Sequence, residues 1–326
     1  MNDELMKSLE LEKIGLLKMI SRPVPKAGPN QSLLKVTHCA ICRTDAKMWE
    51  RGQRDLILPR ILGHEICGFT ETGSKRYVVW PGKSCGDCKQ CKTGFENLCD
   101  SMEITGFHRN GGFAEFISVP KSCLIPIPDN LPGAIACLAE PLACTINATE
   151  QASVIAGNDI LIYGAGSVGL LMALAVKAKG ANPFLVEIDT EKLIRSRIFQ
   201  NRIGIKASLS FRRSDFDTAI NAASAHEIFE NGIHKLRKGG FFCLFSGFTG
   251  GDTVSVKLIN EIHYRQLKMV GAYGCTRPQM EKAIEILLNY KNELTFLIEN
   301  TIKLDQVPFV MSKILSGKFF KFVVKP

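Results

Sequence analysis

Four cysteines within fifteen residues, Cys85, Cys88, Cys91 and Cys99, constrain this chain more than any other feature of its sequence. Their spacing suits a single tetrahedral metal ion, and four thiolates form the closed shell that is typical of structural zinc. Because a closed sulfur shell leaves no position for a substrate, the predicted zinc stabilises a lobe and does not react. The alternative is two disulfides or four unrelated thiols, and a reducing compartment disfavours disulfides.

Length and composition predict a globular protein of two domains. The chain has 326 residues, which exceeds the size at which a single hydrophobic core stops growing, and 45% of them are apolar. Its N-terminus carries Asp3 and Glu4 where a secretion signal has basic and then apolar residues. No apolar run reaches the length of a membrane-spanning helix. We therefore expect a cytoplasmic protein with no membrane partner.

The positive charge of the chain does not by itself indicate a nucleic-acid partner. The formal net charge is +9, but the basic residues are scattered and form no long block interleaved with aromatic residues. An anionic cofactor would use part of this charge. We expect no nucleic-acid binding; the alternative, a nucleic-acid-binding zinc module, predicts binding that weakens with salt.

A glycine-rich turn in the middle of the chain indicates a dinucleotide site. The apolar strand predicted at Asp159–Tyr163 leads directly into Gly164, Gly166 and Gly169, and a helix is predicted at Leu170–Lys179. A strand, a tight G-x-G-x-x-G turn and a helix N-terminus together allow backbone amides to approach a pyrophosphate. This context makes the three glycines predicted cofactor-binding residues.

The next predicted strand favours NAD over NADP. It spans Pro183–Glu187 and ends in a carboxylate suited to bind the hydroxyls of an adenosine ribose and to repel a 2′-phosphate. Strand and helix patterns continue to alternate through Asp217–Ala222 and Gly240–Ser246. This alternation predicts an α/β domain with a doubly wound parallel sheet of the Rossmann type.

One stretch does not fit a full six-stranded sheet of this type. If Ala207–Phe211 were the third strand and Asp217–Ala222 the fourth, five residues would connect them, with a reach of about 17 Å. Crossing three strand spacings and returning along a strand requires about 22 Å. The third edge strand or its crossover helix is therefore predicted to be missing or rebuilt, which shortens the domain.

A β-rich lobe precedes the nucleotide-binding region and carries scattered metal-ligand types. Short predicted strands separated by glycine and proline occupy about 33–119, and 133–151 is helix-like. Cys42 and His64 lie upstream of the cysteine cluster, and Glu140 lies downstream. A thiolate, an imidazole and a carboxylate from separate elements can hold a reactive zinc with an open position.

The order of these motifs, from Cys39 to Lys321, resembles that of the zinc-dependent medium-chain alcohol dehydrogenase family. The resemblance implies a β-rich, GroES-like catalytic domain over 1–142, an NAD-binding Rossmann domain over 143–273, and a return to the catalytic domain over 274–326. It also implies two zinc ions per chain, NAD as cofactor, and assembly as a homodimer or homotetramer.

Carried over residue by residue, the resemblance implies that Cys42 and His64 bind the catalytic zinc. Glu140 stands where the family places a third protein ligand, and Glu65 is the alternative ligand; the sequence leaves both open. Thr44, two residues after the zinc cysteine, is implied to relay the proton of the alcohol.

Three basic residues are implied to contact the cofactor: Arg43 and Lys321 at the pyrophosphate, and Lys192 at the adenosine. Lys47 departs from the family, which often has a histidine there to pass the proton to solvent. A lysine is a poor shuttle unless it is desolvated, so it either binds an anionic substrate group or faces solvent.

The expected function is hydride transfer between NAD and a secondary alcohol of a small polyol or sugar-like substrate, because the contexts of Glu140 and His64 are similar to the sorbitol and polyol branch. The alternatives are a simple alcohol dehydrogenase or carbonyl reductase of the same family, or a non-catalytic zinc- and nucleotide-binding regulatory homologue. Two zinc ions per chain favour an enzyme.

Overall fold

The computed structural model describes residues 4–70, 75–250 and 253–326. The chain forms two compact units, one of Met1–Glu140 with Thr276–Pro326 and one of Pro141–Cys275. The predicted boundaries, after residues 142 and 273, each lie two residues from these. The assignment of the two units to catalysis and to cofactor binding stays a prediction. In the part of the chain that is described, no helix is long and apolar enough to cross a membrane.

The described residues form strands with the following bounds: β1 Leu5–Lys13, β2 Leu16–Pro23, β3 Gln31–Ala40, β4 Arg60–Ile61, β5 Glu65–Thr70, β6 Arg76–Val79, β7 Gly82–Lys83, β8 Glu103–Ile104, β9 Phe116–Pro120, β10 Leu124–Pro126, β11 Asp159–Tyr163, β12 Asn182–Val186, β13 Lys206–Ser208, β14 Phe216–Asn221, β15 Leu236–Leu244, β16 Lys268–Gly271, β17 Ile298–Lys303 and β18 Lys321–Lys325.

The helices have the following bounds: α1 Arg43–Arg51, α2 Lys89–Lys92, α3 Gly133–Ala136, α4 Ala139–Gln151, α5 Ser167–Ala178, α6 Thr190–Arg195, α7 Arg197–Ile203, α8 Glu227–Lys235, α9 Val256–Tyr264, α10 Arg277–Asn289, α11 Lys291–Leu294 and α12 Val307–Leu315.

The first unit is built mainly from antiparallel strands. Its largest sheet has the order β10-β6-β5-β3-β18-β17, with β9 also paired to β3, and smaller sheets are formed by β2-β1-β4 and β7-β8. Strands β3 and β18 pair in antiparallel register although they come from opposite ends of the chain. The C-terminal segment therefore completes the sheet that carries the N-terminal motifs, and the predicted β-rich lobe is confirmed.

His38 on β3 makes the stability of the first unit depend on pH. Burial, and then the charges of Lys325 and Arg76, lower the pKa of this imidazole to about 4 from its ordinary 6.5. In the unfolded chain this imidazole is protonated below about pH 6.5, whereas in the folded chain it stays neutral down to about pH 4. The free energy of unfolding therefore decreases as the pH is lowered from about 6.5 to about 4. The full shift corresponds to about 3.4 kcal/mol, which partial exposure reduces to about 1–2 kcal/mol.

We therefore expect His38→Gln to lose less stability than the wild type on acidification from pH about 7 to about 4.5. Urea unfolding followed by tryptophan fluorescence measures this unit alone, because Trp49 and Trp80 are the two tryptophans of the chain. Equal losses in wild type and variant would show that His38 does not contribute to the pH dependence.

The second unit is a six-stranded parallel sheet with the order β13-β12-β11-β14-β15-β16. Its strand order reverses next to β11, with β12 on one side and β14 on the other, which is the doubly wound arrangement predicted from the sequence. Strand β11 has the predicted bounds, and α5 begins three residues before the predicted helix because Gly166 serves as its N-cap.

The edge of this sheet is rebuilt as predicted. The third strand is present but is only three residues long, and the seven residues 209–215 connect it to β14 without a helix. Because the strand ends at Ser208 and not at Phe211, the link can reach about 25 Å, which is enough to cross β12 and β11 and return. The crossover helix is the missing element.

The core of the second unit lies between this sheet and its helices. It includes Phe184, Phe216 and Phe242, which are at most 6% exposed. Each buried ring contributes about 2–3 kcal/mol relative to an exposed one. The same core includes Tyr163, the last residue of β11, so it holds the point at which the glycine turn begins.

Candidate metal and cofactor sites

The four clustered cysteines converge in the first unit. Their sulfur atoms all lie within 4.8 Å of one another. The Sγ atoms of Cys85 and Cys91 are 3.9 Å apart, and those of Cys88 and Cys91 are 3.5 Å apart. Four sulfurs at about 2.3 Å from a tetrahedral zinc are about 3.8 Å apart. The geometry therefore fits one zinc ion bound by four thiolates.

Backbone amides prepare these sulfurs to carry negative charge. The amides of Asp87 and Cys88 donate to the Cys85 sulfur at 3.4 and 3.3 Å, and the amide of Ser101 donates to Cys99 at 3.4 Å. The amides of Asp87 and Cys88 lower the pKa of the Cys85 thiol to about 6. Burial, and then the side chain of Cys88, raise the pKa of Cys91 to about 12, so before metal binds it is Cys85 that is favoured as the thiolate, the form that binds metal.

A second group of ligand types forms where α1 begins. Cys42 is the N-cap of α1: its sulfur accepts from the Thr44 amide at 3.4 Å, and its own amide donates to the Asp45 carboxylate at 2.9 Å. This reciprocal capping box fixes the direction of the cysteine side chain. Ligand atoms of Cys42, His64 and Glu65 lie within 4.8 Å of one another.

Asp45 also lies beside the histidine of this group, although Nδ1 of His64 has no hydrogen-bond partner within the described residues. Its second carboxylate oxygen accepts from the Gly63 amide at 3.2 Å and lies 3.3 Å from Nδ1 of His64. Burial lowers the pKa of His64, but the charges of Asp45 and Cys42 outweigh it and hold the pKa well above its ordinary value. A carboxylate behind a metal-binding histidine fixes the ring and increases its basicity.

Glu65 is a fully buried carboxylate with one satisfied oxygen. Oε1 forms an ion pair with the ammonium of Lys321, which is 4% exposed and also donates to the carbonyl of Ile41 at 3.5 Å. Oε2 has no hydrogen-bond partner within the described residues. Lys321 lies on β18 and Glu65 on β5, so the C-terminal segment supplies the counter-ion.

These observations fit a cation between Cys42, His64 and Glu65. A thiolate, an imidazole and a carboxylate are a ligand set that zinc accepts, and the unpartnered Oε2 is a buried acceptor without a donor. A divalent ion would take the place of the proton that the neighbouring anions favour on His64.

The other predicted residues of the first unit lie around this group. Glu140 is in the first turn of α4 and is not among the three grouped residues, although its charge contributes to raising the pKa of Lys321. Thr44 follows Cys42 on α1 and is half-buried. The guanidinium of Arg43 donates to the Leu315 carbonyl at 3.0 Å.

In the second unit, Glu187 joins the glycine turn. Its carboxylate accepts from the amides of Ala165 at 2.8 Å and Asp189 at 3.0 Å, and it pairs with the Lys192 ammonium at 2.8 Å. The predicted ribose and adenosine contacts therefore touch each other and hold the turn. Gly166 has no heavy atom within 4 Å of the position of an added Cβ, which leaves space for a pyrophosphate.

An added methyl group is expected to have different effects at two glycines of this turn. A Cβ on Gly169 would lie 1.8 Å from the Gly164 carbonyl oxygen, so we expect Gly169→Ala to destabilise the second unit by about 3 kcal/mol. We expect Gly166→Ala to keep its stability but to bind NAD at least ~10-fold more weakly.

Hydrogen exchange of α5 and calorimetric titration with NAD distinguish the two effects. A stable Gly169→Ala variant, or unchanged NAD affinity in Gly166→Ala, would contradict this interpretation of the turn.

Sequence reasoning missed two residues of the first unit. Asp45 could have been found from its position three residues after Cys42, which is the capping-box spacing. Phe107 is 6% exposed, and its ring packs edge-on against His64 with 5.3 Å between centroids. No local pattern indicates this contact, because Phe107 lies in a loop after the cysteine lobe.

Comparisons with known proteins identify the family of this chain. Residues 28–129 match the family described as alcohol dehydrogenase GroES-like domain. A zinc-type alcohol dehydrogenase-like protein of Haemophilus influenzae is 30% identical, with 95% of each chain covered. D-altritol 5-dehydrogenase of Agrobacterium fabrum is 30% identical over 94% of this chain and 96% of its own.

A solved structure supports the same fold. It is described as a zinc-binding dehydrogenase from Sinorhizobium meliloti 1021 bound to NADP. The two sequences are 28% identical, the alignment covers 99% of this chain and 100% of the other, and the structures superpose with a TM-score of 0.89.

Proposed function

Because this chain belongs to the zinc-dependent medium-chain alcohol dehydrogenase family, we propose that it transfers a hydride between NAD and a secondary alcohol of a polyol or sugar-like molecule. The observation that carries the proposal is the convergence of Cys42, His64 and Glu65, together with the buried Oε2 of Glu65, which has no hydrogen-bond partner within the described residues. The similarity to D-altritol 5-dehydrogenase supports a polyol substrate.

Zinc at this group supplies the polarisation of the alcohol oxygen, and NAD supplies the hydride acceptor. Cys42, His64 and either Glu65 or Glu140 would hold the metal, and the Asp45 carboxylate, 3.3 Å from Nδ1, would lie behind the imidazole. Lys321 compensates the charge of the buried Glu65 carboxylate. Thr44 stands two residues beyond Cys42 and accepts and passes on the alcohol proton.

We assign NAD rather than NADP as cofactor. Glu187 is 5% exposed and pairs with Lys192, and an added 2′-phosphate would meet this carboxylate. Gly164, Gly166 and Gly169 shape the turn for the pyrophosphate. Arg43 is assigned to the same pyrophosphate. The contact of Lys321 with the pyrophosphate stays a prediction, because its ammonium pairs with Glu65.

The proposal includes two zinc ions per chain, one at Cys85, Cys88, Cys91 and Cys99 and one at the reactive group. Assembly as a homodimer or homotetramer in the cytoplasm, without nucleic-acid or membrane partners, belongs to the same proposal.

The test is formation of NADH by zinc-loaded protein with a panel of hexitols, pentitols, sugars and simple alcohols, repeated with NADP. We expect turnover of polyols with NAD. Preference for simple alcohols or ketones would identify a simple alcohol dehydrogenase or carbonyl reductase. Binding of NAD without turnover of any alcohol would identify a non-catalytic homologue and overturn the proposal.

A further inference from the structure

Two free cysteines that take no part in the proposed zinc and cofactor sites lie side by side in the second unit. Cys144 is on α4, and Cys275 is the last residue of the unit. Their sulfur atoms lie within 4.8 Å of one another. Most of the unit separates the two residues in the sequence, so the fold and not a local motif brings the thiols together.

Asn147 holds the backbone on which this pair depends. It follows Cys144 by three residues on α4, so the two side chains lie on the same side of the helix. Its amide nitrogen donates to the carbonyls of Tyr273 at 3.4 Å and Gly274 at 3.0 Å. Asn147 is only 2% exposed, so these hydrogen bonds are shielded from water. They keep the segment that ends at Cys275 against the helix face that carries Cys144.

The separation of the two sulfur atoms suits the formation of a disulfide. The bonded distance is about 2.05 Å, so the gap to be closed, 4.8 Å less this length, is at most about 2.8 Å. Rotating a cysteine side chain from one staggered position to another moves its sulfur by about 3 Å. The gap is therefore within the range of one side-chain rotation.

The exposure of the two thiols sets the order of their oxidation. Cys144 is partly exposed, whereas Cys275 is 4% exposed, so an oxidant in solution reaches Cys144 first. A hydroperoxide oxidises such a thiol to a sulfenic acid: the S–O bond forms, the O–O bond breaks and the peroxide is reduced to water or an alcohol. The sulfur of Cys275 then attacks that of Cys144. The S–S bond forms, the S–O bond breaks, and the hydroxide leaves as water with the proton of Cys275.

The position of the pair in the chain gives this bond a consequence for stability. The chain passes from one unit to the other after Glu140 and again after Cys275. A bond between Cys144 and Cys275 therefore closes a loop that contains nearly all of the second unit. Closing a long loop restricts the unfolded chain and stabilises the folded unit.

We propose that Cys144 and Cys275 form a site of reversible oxidation, at which a hydroperoxide oxidises Cys144, Cys275 converts the sulfenic acid to a disulfide, and the disulfide stabilises the second unit. A dithiol reverses the step by thiol–disulfide exchange, in which the dithiol is oxidised and both cysteines are reduced. Transient disulfides of this kind are those that occur in reducing compartments.

The experiment treats the zinc-loaded protein with hydrogen peroxide and maps its peptides by mass spectrometry, before and after reduction with dithiothreitol. Cys144→Ser and Cys275→Ser are treated in the same way with dimedone, which labels sulfenic acids. Cys243→Ala is the matched control, because this buried thiol of the same unit lies 3.8 Å from the carbonyl of Ala148 on α4. Hydrogen exchange of α5 measures the stability of the unit in the reduced and oxidised states.

We expect peroxide to join the peptides of Cys144 and Cys275 in the wild type and in Cys243→Ala, and dithiothreitol to separate them. In Cys275→Ser, dimedone labels Cys144. In Cys144→Ser no disulfide forms and Cys275 stays unlabelled. Oxidation of the wild type slows exchange of the α5 amides at least ~10-fold.

Sulfenic acid on Cys144 of the wild type without a disulfide would overturn the pairing, and labelling of Cys275 in Cys144→Ser would overturn the order of oxidation. A disulfide that leaves exchange of α5 unchanged would overturn the stabilising role. A third zinc ion per chain that Cys144→Ser removes would assign the two thiols to a metal and overturn the oxidation site.

Discussion

Replacing Cys42 by alanine is expected to lower turnover by about a thousandfold or more, which corresponds to about 4 kcal/mol of transition-state stabilisation. The variant removes the thiolate from the group formed with His64 and Glu65. It also removes the N-cap of α1, which costs about 1 kcal/mol of stability and loosens the helix that carries Thr44. The measurement is kcat/KM with NAD and the best polyol, after dialysis against zinc.

Cys243→Ala is the matched control, because Cys243 is a buried thiol of the second unit that packs as a small hydrophobic residue. We expect it to keep its turnover within about threefold of the wild type. Retained activity in Cys42→Ala would show that the reactive metal is held elsewhere.

Replacing Lys321 by methionine is expected to destabilise the first unit by about 3–5 kcal/mol, because it leaves the buried carboxylate of Glu65 without its counter-ion. The effect spans the two ends of the chain, since β18 and β5 both belong to the large sheet. Urea unfolding of the zinc-free protein, followed by the fluorescence of Trp49 and Trp80, measures it.

The double variant Glu65→Gln with Lys321→Met distinguishes charge from packing. We expect it to recover more than half of the lost stability, because an amide replaces the unpaired charge. If the double variant were as unstable as the single one, packing of the lysine stem and not its charge would account for the loss.

The parts of this protein that local spacing encodes were predictable from the sequence. Cys85, Cys88, Cys91 and Cys99 lie within one short segment, so their convergence follows from turn geometry alone. Gly164, Gly166 and Gly169 likewise act within one strand-turn-helix unit. The missing crossover helix was predictable because chain reach is a hard limit on connection length.

The proposed catalytic zinc site was predictable only through resemblance, because its predicted residues Cys42, His64 and Glu140 lie far apart in the sequence. No sequence rule places Lys321 against Glu65, since 256 residues separate them and sheet pairing brings them together. The prediction had placed the ammonium of Lys321 at the cofactor; the structure places it on Glu65, and its contact with a pyrophosphate stays a prediction.

The placement of Glu187 and Lys192 was only half predictable. A carboxylate at the end of β12 follows from the strand pattern, but its bond to the Ala165 amide depends on how the glycine turn folds back over the sheet. Tertiary contacts of this kind have no signal in a single sequence.

The most direct test of the two-site account is the zinc content of the purified protein by mass spectrometry, measured beside Cys42→Ala and Cys91→Ala. The account predicts two zinc ions per chain in the wild type and one in each variant, with turnover lost in Cys42→Ala. One zinc ion per chain in the wild type, unchanged in Cys42→Ala, would contradict it.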